Sequence, residues 1–294
     1  MNTDIFAAIS GLNDSEKAAL SEILRNQSIM QMAQEIAAKC YQNNPPQELE
    51  IFPESAELAQ SWFAAAYLSM DYSRNKFRKL GFPEAVWLDT MSDMVIWLRH
   101  EKRNYGVYGL GKVARLWTAF LYNGNVIRRG RLECNTEYYF KANADGKNHL
   151  LPAPGAPVIN LHIPEDGPLD IRLCSQSLKM MAEFFAECKR DYNWQGAICQ
   201  SWLLDRQLGC MLTEDSNIIK FQQLGIHYSV DEKADTVFRI FGAQDPFTVK
   251  NPTTLQRKAA AFLRQGGVFR EEGLFIPRSK LEAVDFNLEK LHCS

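Results

Sequence analysis

The sequence predicts a helical domain followed by a mixed α/β domain, and two observations support this division. Through residue 122 the apolar residues recur at the spacing of amphipathic helices, with almost no strand pattern between them. From residue 123 onward, segments with the β-branched residues or apolar–polar alternation of strands alternate with helical segments, which is typical of a mixed sheet flanked by helices. We therefore expect a helical domain over residues 1–122 and an α/β domain over residues 123–294.

Five helical segments are expected in the first domain, each bounded by polar caps, glycine or proline. The first begins at Asp14 or Ser15, and a loop at residues 42–53 separates the second from the third. The expected helices cover residues 14–26, 28–41, 56–80, 84–103 and 110–122.

Strands and helices alternate in the expected second domain. Gly130 is a candidate β-bulge, and Asp170 is a candidate helix cap. The expected strands cover residues 125–140, 158–163, 195–204, 226–230, 236–241 and 267–276, with an acidic turn at 231–235. The expected helices cover residues 170–189, one or two segments ending at 224, and 254–264.

Composition excludes several classes of partner. The net charge is −2 and the pI is about 6.2, so no strong field attracts nucleic acid or an anionic membrane. The short basic cluster of Arg128, Arg129 and Arg131 is expected on a solvated strand face.

The sequence predicts a cytoplasmic protein with reduced thiols. Its first residues lack a basic stretch followed by a long apolar core, and no apolar run approaches the ~20 residues of a membrane span. The seven cysteines form no C-x-x-C pair, so neither a disulfide framework nor a metal site is expected.

The stretch "INLHIPEDGPLD", residues 159–170, is the main candidate for a functional site. It places His162 at the end of a strand and Glu165, Asp166 and Asp170 before a helix, where ligands of α/β proteins usually bind. The acids can cap the helix and complement its dipole. Three carboxylates at this position would repel a pyrophosphate and favour an amine or another cation.

A nucleophile pair is a second interpretation of this region. If the strands around residues 160 and 200 are parallel neighbours, His162 and either Cys199 or Ser201 could face a common space. Such a pair would indicate a hydrolase, although no local motif such as G-x-S-x-G supports it. A structural histidine is the plainer interpretation.

The segment "GVYGLGKV", residues 106–113, resembles a phosphate-binding loop only superficially. It follows a helix instead of a strand, and Val113 stands where a Ser or Thr would bind Mg²⁺. A turn between helices is expected here, with at most a weak anion site at the following helix start.

Several ordered segments resemble a known family. "INLHIPEDGPLD", "AEFF", "CQSWLLD" and "LTEDSNIIKFQQLGI" resemble the GNAT-like C-terminal domain of bacterial acyltransferases. "DMVIWLRHEKRNYGVYGLGKVARLW", followed by "IRRGRLECNTEYYF", resembles the helical N-acyltransferase N-terminal domain of the same proteins. The order of elements after residue 155 also matches the GNAT fold, in which acyl-CoA lies between two diverging parallel strands.

The resemblance implies transfer of an acyl group from the thioester of CoA, or of an acyl carrier protein, to an amine or similar small acceptor. No metal is implied. His162 or Glu165 would act as the general base that deprotonates the acceptor. The residues that would bind or orient the substrates are Cys199, Ser201, Ser216 and Asn217.

Two departures from the family pattern leave an alternative open. The pyrophosphate motif Q/R-x-x-G-x-G/A is missing between the strand and the helix, and the stretch after "SWLLD" lacks the tyrosine that many GNAT enzymes use as a general acid. The alternative is therefore a catalytically inactive GNAT-like protein that binds a ligand.

Overall fold

A computed structural model describes residues 9–41, 55–141, 150–230, 236–241 and 245–283. The chain divides into two compact units. Unit 1 comprises residues 1–136 and 164–166, and unit 2 comprises residues 137–163 and 167–294. The expected loop at 42–53 and the expected turn at 231–235 lie outside the described residues.

Unit 1 is helical up to residue 122, as predicted. Its helices are α1 (Asp14–Arg25), α2 (Gln27–Ile36, extended by one wider turn Ala37–Tyr41), α3 (Ala56–Leu68), α4 (Met70–Lys79), α5 (Glu84–Met91), α6 (Met94–Tyr105) and α7 (Lys112–Tyr122).

Two of the helices expected from the sequence are interrupted. The segment 56–80 breaks at Ser69, whose N–H bonds to both Ala65 and Ala66, so α3 ends there and α4 begins. The segment 84–103 breaks at Ser92 and Asp93, between α5 and α6. The apolar periodicity continues through both breaks, so it predicted one helix where there are two.

A β-hairpin follows the helices in unit 1. Strand β1 (Val126–Arg129) pairs antiparallel with β2 (Leu132–Asn135), with Arg128 opposite Glu133. Gly130 has a φ of 69°, which the tight turn between the two strands requires. Gly130 is therefore a turn residue and not the bulge expected from the sequence.

Unit 2 combines strands and helices. Its elements are β3 (Ile159–His162), α8 (Ile171–Cys188), β4 (Gly196–Ser201), two 3₁₀ turns (Trp202–Leu204 and Arg206–Cys210), α9 (Asn217–Gln222), β5 (Ile226–Ser229), α10 (Thr236–Phe241), α11 (Thr254–Arg264), β6 (Glu272–Pro277) and α12 (Arg278–Leu281).

The strands of unit 2 form a mixed sheet in the order β3-β4-β6-β5. Strands β3 and β4 are parallel, whereas β6 is antiparallel to both β4 and β5. The predicted fold class, a helical N-terminal part followed by a mixed sheet with helices, is therefore confirmed.

One predicted strand is a helix. Residues 236–241, "TVFRIF", form α10, in which Thr236, Ile240 and Phe241 are buried. Ile240 and Phe241 pack with Leu208 and Ala259 in one apolar cluster. Burial at this helical spacing outweighs the β-propensity of the valine, isoleucine and phenylalanines.

Helix α8 positions the loop that follows β3. Asp170 caps it, as predicted, by accepting hydrogen bonds from the N–H groups of Arg172 at 2.9 Å and Leu173 at 3.3 Å. The buried stripe of Cys174, Leu178 and Phe185 faces the interior of unit 2. Among the described residues, no helix has both the length and the apolar character needed to cross a membrane.

A pair of buried carboxyl groups lies in unit 1. Glu133 and Asp93 are each 2% exposed, and Trp97 Nε1 donates to Asp93 Oδ2 at 2.7 Å. Arg128 lies 3.9 Å from Asp93. Burial, followed by the charge of Asp93, raises the pKa of Glu133 well above its ordinary value. Folded Glu133 therefore holds its proton to a higher pH than unfolded Glu133 does.

The substitution E133Q is expected to stabilise unit 1 at neutral and alkaline pH. Unfolded Glu133 releases its proton above its ordinary pKa, whereas folded Glu133 releases it only at a higher pH, so wild-type stability falls as pH rises between the two pKa values. The slope for one proton is up to about 1.4 kcal/mol per pH unit. Urea unfolding at pH 5–9 should show an advantage of E133Q that grows with pH. E183Q, on the exposed face of α8, is the control, and an advantage independent of pH would contradict the assignment.

Candidate functional site

The parallel pairing of β3 and β4 stops before β4 ends. Its register joins Ile159 to Ala197 and Leu161 to Cys199. Beyond Cys199, strand β4 continues to Ser201 and stays paired with β6. The edge of β4 that faces β3 therefore extends past the last pair, and unpaired strand edges bind extended ligands through their backbone groups.

His162 is the last residue of β3, at the point where the pairing ends. Its Nε2 lies 3.4 Å from the side-chain nitrogen of Asn160, two residues earlier on the same face. Burial lowers the pKa of His162 to about 4. The imidazole is therefore neutral at physiological pH, which is the form that can accept a proton.

Gln200 lies on the same face of the sheet as His162. Asn160 and Ile198 are register partners, and the next residue but one on each strand points the same way. Gln200 is partly exposed near the end of β4. The register therefore places an imidazole and a carboxamide on one face, where the parallel pairing ends.

Tyr228 of β5 continues this face on the far side of Gln200. Gly273 of β6 is the register partner of both residues, so it lies between them. The ring of Tyr228 covers Gly273, since Cζ and the two Cε atoms are the atoms that an added Cβ would meet first. The hydroxyl end of the ring is thereby directed toward β4.

The Tyr228 hydroxyl is a buried polar group without a hydrogen bond to any described residue. Tyr228 is 7% exposed, and burial raises the pKa of its hydroxyl, an effect that the nearby Gln200 side chain opposes. Gln200 and Tyr228 were not predicted from the sequence, because alternation assigns side chains to faces within one strand only. Their alignment depends on the register across β4, β6 and β5.

The predicted nucleophile pair is wrong. Cys199 is the register partner of Leu161, so its thiol lies on the face opposite His162, and Ser201 shares the face of Cys199. Burial raises the pKa of the Cys199 thiol to about 12. The Ser201 hydroxyl accepts a hydrogen bond from the N–H of Leu203 and caps the following 3₁₀ turn.

The three acids after β3 have separate partners. Glu165 is exposed and pairs with Arg103 at 2.7 Å within unit 1. Asp166 pairs with Arg128 and, at 3.3 Å, with Arg131, also within unit 1. The latter arginines are mostly buried, so the solvated basic strand face expected from the sequence is wrong for them. Of the three acids, Asp170 is the one that caps α8.

Because the three acids have separate partners, they do not form the joint cation site expected from the sequence. Arginines neutralise Glu165 and Asp166, and only the Asp170 carboxylate lies at the start of α8. That carboxylate already accepts from the first available N–H groups, so it still disfavours a phosphate at this helix end.

Ser216 and Asn217 lie at the start of α9. Ser216 precedes the helix without capping it through its side chain. The helix is tied to the turn after β4, because Gln222 Nε2 donates to the carbonyl oxygen of Leu203 at 2.8 Å. The two residues thus belong to an element anchored next to β4, and their predicted role in binding remains a prediction.

The glycine-rich segment 106–113 is a turn between helices, as predicted. Gly106 ends α6 in the left-handed conformation, and Gly111 precedes α7. The carboxylate of the buried Glu101 lies where a Cβ on Gly111 would be placed. This side chain occupies the helix start, so the weak anion site considered from the sequence is filled by a carboxylate of the protein itself.

Two cavities lie within unit 1. One of about 340 Å³ is lined by Glu22, Gln60 and Tyr108 among others, and one of about 290 Å³ is lined by Trp97 and His100 among others. Both are close to the lower limit for small-molecule pockets. No group of His, Cys, Asp and Glu among the described residues could hold a metal ion.

Comparison with known protein families gives two matches. Residues 126–275 match the family described as GNAT-like C-terminal domain, and residues 6–124 match the family described as N-acyltransferase N-terminal domain. No curated protein matches the sequence at a significant level.

Solved structures of acyltransferases share the fold. One, in complex with CoA and 10C-teicoplanin, is 20% identical, with a TM-score of 0.64 over 94% of this chain and 83% of that chain. A mutant acyltransferase in complex with octanoyl-CoA is 22% identical, with a TM-score of 0.65 over 93% and 82% of the two chains. Another, in complex with decanoyl-CoA, is 22% identical, with a TM-score of 0.64 over 93% of this chain and 82% of that chain.

Cys199 is expected to resist alkylation in the folded protein. With a pKa of about 12 its thiolate fraction at pH 8 is roughly one in ten thousand, and the thiolate is the reactive form. Treatment with iodoacetamide at pH 8, followed by peptide mass spectrometry, should modify the exposed Cys210 at least about a hundredfold faster. Equal rates at the two positions would show that Cys199 is an accessible, activated thiol.

Proposed function

The chain belongs to the family of the GNAT-like C-terminal domain, and on that premise we propose that it transfers an acyl group from acyl-CoA to an amine or similar small acceptor. The observation that carries the proposal is the early end of the β3–β4 pairing, with His162, the last residue of β3, directly after the last pair. An extended thioester arm can bind the open edge of β4 there.

His162 is the proposed general base. Its neutral ring is ready to take the proton that the acceptor amine loses as nitrogen attacks the thioester carbonyl. Glu165, the second candidate from the sequence, is exposed and already paired with Arg103. The Glu165 carboxylate is already engaged by an arginine, whereas His162 lies directly after the last β3–β4 pair, so His162 is preferred.

Acyl-CoA is the proposed donor, and the acceptor is proposed to be a small molecule. Three of the solved structures hold octanoyl-CoA or decanoyl-CoA and one holds CoA, and two of the four also hold teicoplanin or its 10C derivative. Medium-length acyl chains are therefore the first donors to test here. A carrier-protein thioester remains a second proposed donor.

The start of α8 is not the proposed place for the phosphates of CoA in this chain. Asp170 occupies the N–H groups of Arg172 and Leu173 and adds a negative charge. Phosphate binding at this helix end would require Asp170 to turn away. This conflict is the structural counterpart of the missing Q/R-x-x-G-x-G/A motif.

The substitution H162Q is expected to reduce kcat/KM by about 10²- to 10⁴-fold, the usual contribution of a general base. Release of the CoA thiol from acetyl-, octanoyl- and decanoyl-CoA would be followed with a panel of amines. The dissociation constant of octanoyl-CoA should change less than about threefold, since the ring acts on the acceptor. The ratio of the wild-type rate to the H162Q rate should stay constant down to about pH 5, because His162 protonates only near its pKa of about 4 and the acceptor amine titrates equally in both proteins.

H227Q is the matched control. His227 lies in the same sheet, but it is the register partner of Leu274, and both residues lie on the face opposite His162. Retention of full activity by H162Q would remove His162 from the mechanism. Binding of octanoyl-CoA without thiol release from any acceptor would support the alternative of a catalytically inactive ligand-binding protein.

A further inference from the structure

The polar face that begins at His162 extends over three further strands of unit 2. Gln200 on β4, Gly273 on β6 and Tyr228 on β5 share this face at successive register positions. The neighbouring positions on the same face carry apolar side chains, Ile198, Phe275 and Ile226. Gln200 and Tyr228 therefore continue the polar positions of β3, Asn160 and His162, across strands whose neighbouring positions on this face are apolar.

Tyr228 is built into this position at a structural cost. Its ring packs edge-on against Phe140 with centroids 5.3 Å apart, and it lies over Gly273. Its hydroxyl is buried without a hydrogen bond to any described residue, and such a group lowers the stability of the folded protein. A phenylalanine would fill the same space without that cost, so packing alone does not explain the hydroxyl.

We propose that the side-chain amide of Gln200 donates a hydrogen bond to the carbonyl oxygen of the bound thioester, and that the Tyr228 hydroxyl, which has no hydrogen bond to a described residue in the free protein, bonds to this amide and holds it in place when the thioester is bound. Gln200 lies at the end of β4, on the face of His162 and beyond the last parallel pair. It is partly exposed, so a substrate can reach its amide nitrogen. The Tyr228 ring extends toward Gln200 from β5, over Gly273, which has no side chain to block it.

The inference rests on the proposed acyl transfer, and it adds the group that stabilises the developing charge. The amine nitrogen forms a bond to the carbonyl carbon while the C=O electron pair moves onto oxygen, where Gln200 Nε2–H donates. The C=O bond then re-forms and the C–S bond breaks, releasing the CoA thiolate. The proton lost by the amine passes to His162 and from there to the thiolate, so the protons balance.

Tyr228 suits the role of a positioning donor. Burial raises the pKa of its hydroxyl above the ordinary value, so the proton stays on oxygen throughout the neutral range. The O–H can donate to Oε1 of Gln200, which leaves the Nε2–H group of the amide for the substrate. Tyr228 would act through Gln200 and would not itself touch the substrate.

Kinetics of the variants Q200L and Y228F test the proposal. Loss of one donor to an oxyanion lowers kcat by about 10²- to 10³-fold, so Q200L should lose this much while its KM for octanoyl-CoA changes less than about threefold. Y228F should lose about tenfold in kcat, with its melting temperature unchanged or raised because a buried unpaired hydroxyl is removed. A purely structural Tyr228 would leave kcat unchanged in Y228F.

A spectroscopic readout makes the test independent of any acceptor. Octanoyl-CoA labelled with ¹³C at the carbonyl would be bound to each variant, and the carbonyl stretch would be recorded by difference infrared spectroscopy. The band should lie at lower frequency in the wild type than in Q200L, with Y228F between them. Identical bands, or wild-type kcat in Q200L, would overturn the role of Gln200 while leaving acyl transfer intact. Failure of the wild type to bind octanoyl-CoA would overturn the proposed donor, and this inference with it.

Discussion

The end of hydrogen bonding between β3 and β4 is the constraint on which the candidate site depends. Pairing stops after Leu161 and Cys199, and Pro164 follows shortly in the sequence, where it has no N–H to continue a ladder. Strand β4 continues because β6 pairs with it on the other side. Strand β3 ends while β4 remains paired with β6, and this leaves an open edge on β4.

The fold was largely predictable because it depends on patterns within single segments. The apolar period identified the helices of unit 1, and the strand expected over residues 158–163 contains β3. The same rules failed where packing or a local turn decides. Residues 236–241 form a helix because their buried side chains fit a helical spacing, and Ser69 divides a helix that the apolar period continues through.

The site was only partly predictable, since it depends on contacts between distant segments. His162 was found from its place at a strand end, but its relation to β4 is fixed by register, which sets Cys199 on the opposite face and Gln200 on the same one. The neutralisation of Glu165 by Arg103 joins residues 62 positions apart. No local pattern in "PEDG" indicates that partner.

The most direct test of the open strand edge is hydrogen–deuterium exchange with and without octanoyl-CoA. If the thioester arm binds along β4, peptides spanning residues 196–204 should exchange more slowly in the complex, because new hydrogen bonds form on that edge. Peptides of α11 should exchange at unchanged rates. Slower exchange confined to other segments, with no change at β4, would contradict the proposed site.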